Sequence, residues 1–265
     1  MAGKNRYERL IEAIFFHHYE PGCTQFTFER EELERFAAEL NIRLPKNLGD
    51  VVYTFRYRSE LPVRVSETCA TGMTWYILPA GKGRYRFEMQ PEIDLQPNPN
   101  YGKIKLPDAT PGIIASYALS DEQALLAKLR YNRLLDIFTR ITCYSLQNHL
   151  RMAVADMGQV ETDELYVEMD RSGTQYILPV QAKGGRDKLN IVQILQDMAM
   201  CAQKFPNLVC RPIAAQFIRD DSIAMFEFAD TEEGVRVVCE RHYRLVPPDE
   251  ISPEELGRYK QMRDE

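Results

Sequence analysis

Residues 160–185 read VETDELYVEMDRSGTQYILPVQAKGG, and the fold of the chain turns on this stretch. β-like runs at about 159–168 and 175–182 predict two strands, and Asp170–Gly173 supplies the polar, glycine-containing turn between them. Side chains two apart on a strand share a face, so Gln181 and Lys183 point the same way, as do Glu161 and Asp163 on the partner strand. Glu164 would join them only if a bulge reversed the alternation. Pro179 forfeits a ladder hydrogen bond, which predicts an edge or a bulge just before Gln181.

Downstream, the pattern predicts a helix over about 188–203 and strands near 208–218, 222–229 and 234–239. Upstream, Ser120-Asp121 can cap a helix that runs to about 137 and buries Leu125, Leu126, Leu129 and Leu134. A second helix is expected at about 142–156. Residues 90–112 carry five prolines and no periodicity, which marks a domain boundary. Before it, helices are expected at 5–18, 29–40 and 46–58, followed by a hairpin of Thr74–Leu78 and Arg84–Met89 closed by PAGKG. Three helices and a hairpin resemble a winged helix-turn-helix. The expected organisation is therefore a winged-helix-like domain over 1–90, a linker over 91–119 and an α/β domain over 120–265.

Asp163 on one strand and Gln181 and Lys183 on the next combine oxygen ligands for a divalent cation with a positive charge for a crowded phosphate. This arrangement resembles the PD-(D/E)XK nucleases in their Mrr-like variant, where Gln replaces the second acidic residue. The resemblance covers the chain from about 120 onward and is carried by Asp163 and Gln181-Ala182-Lys183; Thr162 stands where the family pattern has proline. It implies a restriction-endonuclease-like domain with a mixed sheet between helices. Asp163 would be the main ligand of Mg²⁺, with Mn²⁺ as a substitute, and Gln181 a neutral oxygen ligand; Lys183 would stabilise the transition state. Glu161 or Glu164 would supply the carboxylate that Gln181 lacks. Gln147 or His149 stands where the family's preceding helix contributes a polar group. Gly184-Gly185 would permit close approach of a phosphate backbone, the charged turn Arg186-Asp187-Lys188 opens the next helix, and Gln193, one turn in, would face the same cleft. Gln181→Glu, which restores the carboxylate of the wider family, is expected to retain some activity with an altered metal preference, because the oxygen ligand survives.

The winged-helix reading assigns DNA contacts to Lys46, Arg56 and Arg58 on the third helix and to Lys82, Arg84 and Arg86 on the wing. The net charge is −6, but residues 1–90 carry 13 basic against 12 acidic side chains and residues 91–265 carry 20 against 27. The total therefore weighs only mildly against a nucleic-acid partner, because local clusters decide binding. The six cysteines lack CxxC spacing, so free thiols are expected rather than structural zinc or disulfides. His17 and His18 are read as surface or packing residues, and His242 as part of a late strand. No Walker-type loop is present, so any motor is a separate subunit.

These features imply a cytoplasmic DNA endonuclease of restriction or phage-defence character, with no membrane segment. It would act as a homodimer if it breaks both strands, with a separate motor or methyltransferase subunit as a further partner. A nuclease-like assembly subunit without activity and an RNA-directed nuclease are the alternatives.

Overall fold

The computed structural model describes residues 6–117, 122–184, 189–219, 221–232 and 234–261. The first part of the chain builds its own core. Helix α1 (Arg6–His18) turns Leu10, Ile11, Ile14 and Phe15 inward, strand β1 (Gln25–Glu29) adds Phe28, and helix α2 (Arg30–Glu39) adds Leu33, Phe36 and Ala37. Helix α3 (Gly49–Tyr57) contributes Val51, Val52 and Phe55, the short α4 (Val63–Ser66) contributes Val65, and strands β2 (Met73–Pro79) and β3 (Arg84–Pro91) contribute Trp75, Ile77 and Phe87. The three strands form an antiparallel sheet in the order β1-β3-β2. Helix α3 starts later than the sequence predicts. Asn47 turns back to accept from the Gly49 N–H at 3.2 Å and donates to Asp50 at 2.8 Å, which leaves Lys46 in the loop before the helix.

The expected linker is not structureless. Within it, β4 (Lys103–Pro107) pairs in parallel with the last strand of the second sheet, and helix α5 (Gly112–Tyr117) follows. Helix α6 (Glu122–Tyr131) is separated by Asn132 and a left-handed Arg133 from α7 (Leu134–Thr139), so the single helix expected to 137 is broken. The Ser120-Asp121 cap lies outside the described residues.

The helix expected over 142–156 is instead strand β5 (Cys143–Val154) at the edge of the sheet. Its residues 144–149 are exposed, so neither face carries the apolar alternation that announces a strand. Leu146 and Leu150 then mimic helical spacing. Strands β6 (Gly158–Met169) and β7 (Gln175–Lys183) and the turn between them match the sequence reading. Helix α8 (Ile191–Lys204) crosses to β8 (Val209–Cys210) and β9 (Ile213–Ile218), which run parallel to β7. Strands β10 (Ser222–Thr231) and β11 (Gly234–Val246) complete an eight-stranded mixed sheet of order β4-β11-β10-β9-β7-β6-β5, with β8 paired to β7. A 3-10 turn (Pro248–Glu250) and helix α9 (Pro253–Gln261) end the described chain.

Pro179 lies on central β7, and the structure shows why it is tolerated. The neighbouring ladder stops at Ile177↔Cys210 and resumes at Val180↔Ile213, so the missing N–H falls at the break between β8 and β9. Leucines of α6 and α7 pack on one face of the sheet against Val180, Ala182, Ile213 and Ala215. On the other face, Ile191, Val192 and Ile194 of α8 meet Ala214, Ala224, Phe226 and Phe228, and Leu78 of β2 joins the same cluster. Two hydrogen bonds accompany that contact: Tyr57 Oη donates to Gln196 at 3.0 Å, and the Asn190 side chain donates to the Arg56 carbonyl. The end of α3 is thereby seated on the start of α8. Among the described residues, no helix is long and apolar enough to cross a membrane.

Candidate metal centre

The site begins where two paired strands part. The β6–β7 ladder runs from Met169↔Gln175 to Glu164↔Val180 and ends there, and Gln181 next pairs on its other side with Ala214 of β9. Asp163 therefore stands in the crotch of a fork. Its Oδ2 accepts the Ala182 N–H at 2.9 Å, where a strand-to-strand bond would otherwise lie, and the residue is only 7% exposed. Across the fork, Gln181 Nε2 donates to the Glu161 carbonyl at 3.2 Å.

Lys183 ends the same strand, with its side chain largely covered. Its Nζ lies 3.5 Å from Oε2 of Glu122, in the first turn of α6. Burial pushes the Glu122 carboxyl up, and the charge of Asp163 pushes it further, while Lys183 pulls it back. Two carboxylates held against one another with a single ammonium nearby form an electrostatically unfavourable group that a divalent cation would relieve. Carboxylate oxygens are the ligands that Mg²⁺ prefers. Glu122 carries no cue to this role in the sequence, because it lies far upstream and the Ser120-Asp121 before it signals only a helix start.

The other expected residues are distributed differently. Glu161 is exposed and pairs with Arg151 at 2.9 Å, and Glu164, 1% exposed, faces the opposite side, where Arg130 and Tyr166 hold it. Neither is needed to complete the carboxylate pair. Gln147 is exposed on edge strand β5 opposite Leu165, away from the fork. From the helices preceding the sheet, it is α6 that reaches the site, through Glu122. His149 also approaches: the register Asn148↔Glu164 and Leu150↔Thr162 sets it across from Asp163, with a left-handed backbone (φ 48°) and its ring 3.4 Å from Gln123 Nε2.

Gln193 is brought to the site, donating to Gln181 Oε1 at 3.2 Å. Behind Gln181 lies Asp197 of α8, fully buried, accepting from Gln181 Nε2 at 2.9 Å and from the Thr162 hydroxyl at 2.5 Å. Burial raises the Asp197 carboxyl to about 7, and the charge of Asp163 adds to that, against the two hydrogen bonds and Lys183. Gly184 is described, but Gly185 and Arg186-Asp187-Lys188 lie outside the described residues.

The expected DNA-contacting residues divide. Lys46, Arg58 and Lys82 are exposed. Arg84 is exposed and pairs with Glu29 at 2.8 Å, and Arg86 pairs with Glu88 at 2.6 Å. Arg56 is a structural residue: its Nε donates to the Ile77 carbonyl at 2.9 Å and its guanidinium lies 5.7 Å from the ring centroids of both Tyr57 and Tyr85. A cavity of about 1330 Å³ runs past Arg58, Tyr76 and Asn190, and one of about 1120 Å³ past Lys103, Lys128 and Arg219; Gln96, Pro97 and Gln216 border both. Gln216 is the register partner of Lys183, but Asp163, Glu122, Gln181 and Lys183 line neither cavity.

His17 and His18 lie near Glu32, a carboxylate that sequence spacing did not connect to them. Glu32 is already engaged. It closes a capping box on α2 by accepting the Glu29 N–H at 2.8 Å, and it also holds His18 at 2.7 Å and Arg35 at 3.3 Å. The rings of His18 and His17 rest on Phe26 and Phe36, which fits packing residues. All six cysteines are free, and His242 is buried on β11 against Glu240. No family model matches the chain, and no curated protein or solved structure matches it.

Proposed function

We propose that the chain is a metal-dependent endonuclease of the PD-(D/E)XK kind, acting on DNA, with its centre at Asp163, Glu122 and Lys183. The observation that carries this reading is the fork in the sheet. Asp163 there is held by the Ala182 N–H beside the half-buried carboxylate of Glu122, with Lys183 Nζ 3.5 Å from Glu122. Asp163 and Glu122 would hold Mg²⁺ or Mn²⁺, with the Gln181 oxygen as a further ligand. The cation, when bound, supplies charge neutralisation at the phosphate and an acidified water.

The remaining roles fall to the chain itself. Lys183 is short of solvent and fixed by strand and carboxylate, so its ammonium is preorganised to offset charge on a phosphate oxygen as the P–O bond to the leaving group breaks. The two cavities share Gln216, the register partner of Lys183, and would carry the polynucleotide toward this point, with Arg58 at one end and Lys103, Lys128 and Arg219 at the other. The N-terminal order of helices, followed by a hairpin on a three-stranded sheet, supports the winged-helix reading. Its exposed Lys46, Arg58 and Lys82 would touch DNA backbone. A single centre per chain implies two copies for a double-strand break.

The test is incubation of the purified chain with supercoiled plasmid, single-stranded DNA and RNA in Mg²⁺, Mn²⁺ or EDTA. Metal-dependent nicking or linearisation of plasmid supports the reading. RNA cleavage alone would reassign the substrate, and no cleavage of any polymer would reduce the chain to a binding protein.

A further inference from the structure

Position 181 carries an amide where a metal centre of this type is ordinarily richer in carboxylates, and the buried surroundings of that amide offer a physical reason. Gln181 Nε2 has two hydrogens, and both are committed: one to Asp197 Oδ2 at 2.9 Å, the other to the Glu161 carbonyl at 3.2 Å. Its Oε1 accepts from Gln193 at 3.2 Å and retains a second lone pair. Turning the amide over would set its oxygen against the Glu161 carbonyl, which has no hydrogen to give, and against Asp197, which has none while it is ionised. Gln181 and Asp197 are 1% and 0% exposed, so water cannot relieve such a clash.

We propose that Asp197 is a positioning residue for the metal centre. It fixes the Gln181 amide with its oxygen turned from Asp197 toward Gln193, and it favours an amide at 181, because a carboxyl there would face a second buried carboxyl. The inference rests on the metal-centre reading for the role of the oxygen, but the pairing of 181 with 197 stands on the hydrogen bonds alone. Thr162 completes the arrangement by occupying Asp197 Oδ1 at 2.5 Å, so the carboxylate cannot rotate away from Gln181 without giving up that bond. The activity expected to survive Gln181→Glu would therefore come with a loss of stability.

The pairing predicts a reciprocal exchange. Gln181→Glu should lower the Tm by roughly 5 °C or more, since it buries two carboxyls in contact that must either carry like charges or hold a proton between them. Adding Asp197→Asn should restore most of that loss, because an amide at 197 can donate to the carboxylate now at 181 and still accept from Thr162. Should the single variant fail to fold, soluble folded double variant beside an insoluble single one is the same result. Asp197→Ala, measured at a temperature where it is folded, should weaken Mn²⁺ binding by about tenfold in calorimetry. Full stability of Gln181→Glu, or a double variant no more stable than it, overturns the pairing. Mn²⁺ affinity unchanged in Asp197→Ala, with a lowered Tm, overturns the positioning role and leaves a structural one. A wild-type chain that binds no Mn²⁺ overturns the metal-centre reading instead, and the stability exchange still decides the pairing.

Discussion

Lys183 Nζ lies 3.5 Å from Oε2 of Glu122, so the cation that ends strand β7 meets a carboxylate delivered by the first turn of helix α6. The contact ties the end of the strand to the helix at one point. Helix α6 is anchored there by Leu125, Leu126 and Leu129 against Val180 and Ala182, the residues flanking Gln181. Packing of an apolar stripe thus sets the position of a polar group one turn away.

Replacement of Glu122 by Gln separates its electrostatic from its structural part. The carboxyl is held up by burial and by Asp163, so neutralising it removes a like-charge repulsion and the fold should not lose stability. Mn²⁺ affinity should fall by at least about tenfold, and cleavage with it. Calorimetric titration of a variant with wild-type Tm checks this. Unchanged affinity would remove Glu122 from the centre.

The fork was legible in the sequence in part. The turn at Asp170–Gly173 and the two β-like runs identified β6 and β7, and period-two alternation set Gln181 and Lys183 on one face. Three features were not legible. Glu122 depends on helix docking, which no local pattern records. Strand β5 is exposed over 144–149 and so carries no alternation. Strand β4 gains its identity only by pairing with β11, whose residues 242–246 are far along the chain. Asp197 illustrates the same limit: on α8 it reads as one more polar helix residue, and only the crossover brings it behind Gln181.

Arg56 and Arg58 are two residues apart, yet they should fail differently. Arg56 braces β2 through the Ile77 carbonyl, so Arg56→Ala should destabilise the fold by about 1 to 2 kcal/mol. Arg58 is exposed beside Tyr53, so Arg58→Ala should leave the Tm in place and weaken duplex binding, with a salt slope reduced by about 1. Denaturant unfolding and salt-dependent binding curves separate the two. Equal effects on DNA binding with no change in stability would contradict the bracing role of Arg56.

Glu32 provides a pH signature remote from the centre. Burial pushes its carboxyl up, but the Glu29 N–H, His18 and Arg35 outweigh this and hold it below its ordinary 4.5. A depressed carboxyl contributes stability above its unfolded value, and that contribution is lost as pH falls through the folded one. Glu32→Gln should therefore be less stable than wild type at pH 6, with the difference closing as pH falls below about 4.5. A difference that stays constant down to about pH 3 would show that the capping geometry, and not the charge, is what Glu32 provides.

The central claim is that Lys183 serves a phosphodiester-cleaving metal centre, and the most direct measurement is single-turnover cleavage of plasmid by Lys183→Ala alongside Mn²⁺ titration of the same protein. The ammonium is needed where negative charge grows in the transition state, so the account predicts cleavage reduced by at least about a hundredfold. Mn²⁺ and DNA affinities should remain within a few fold of wild type. Wild-type cleavage by a folded Lys183→Ala variant would contradict the account.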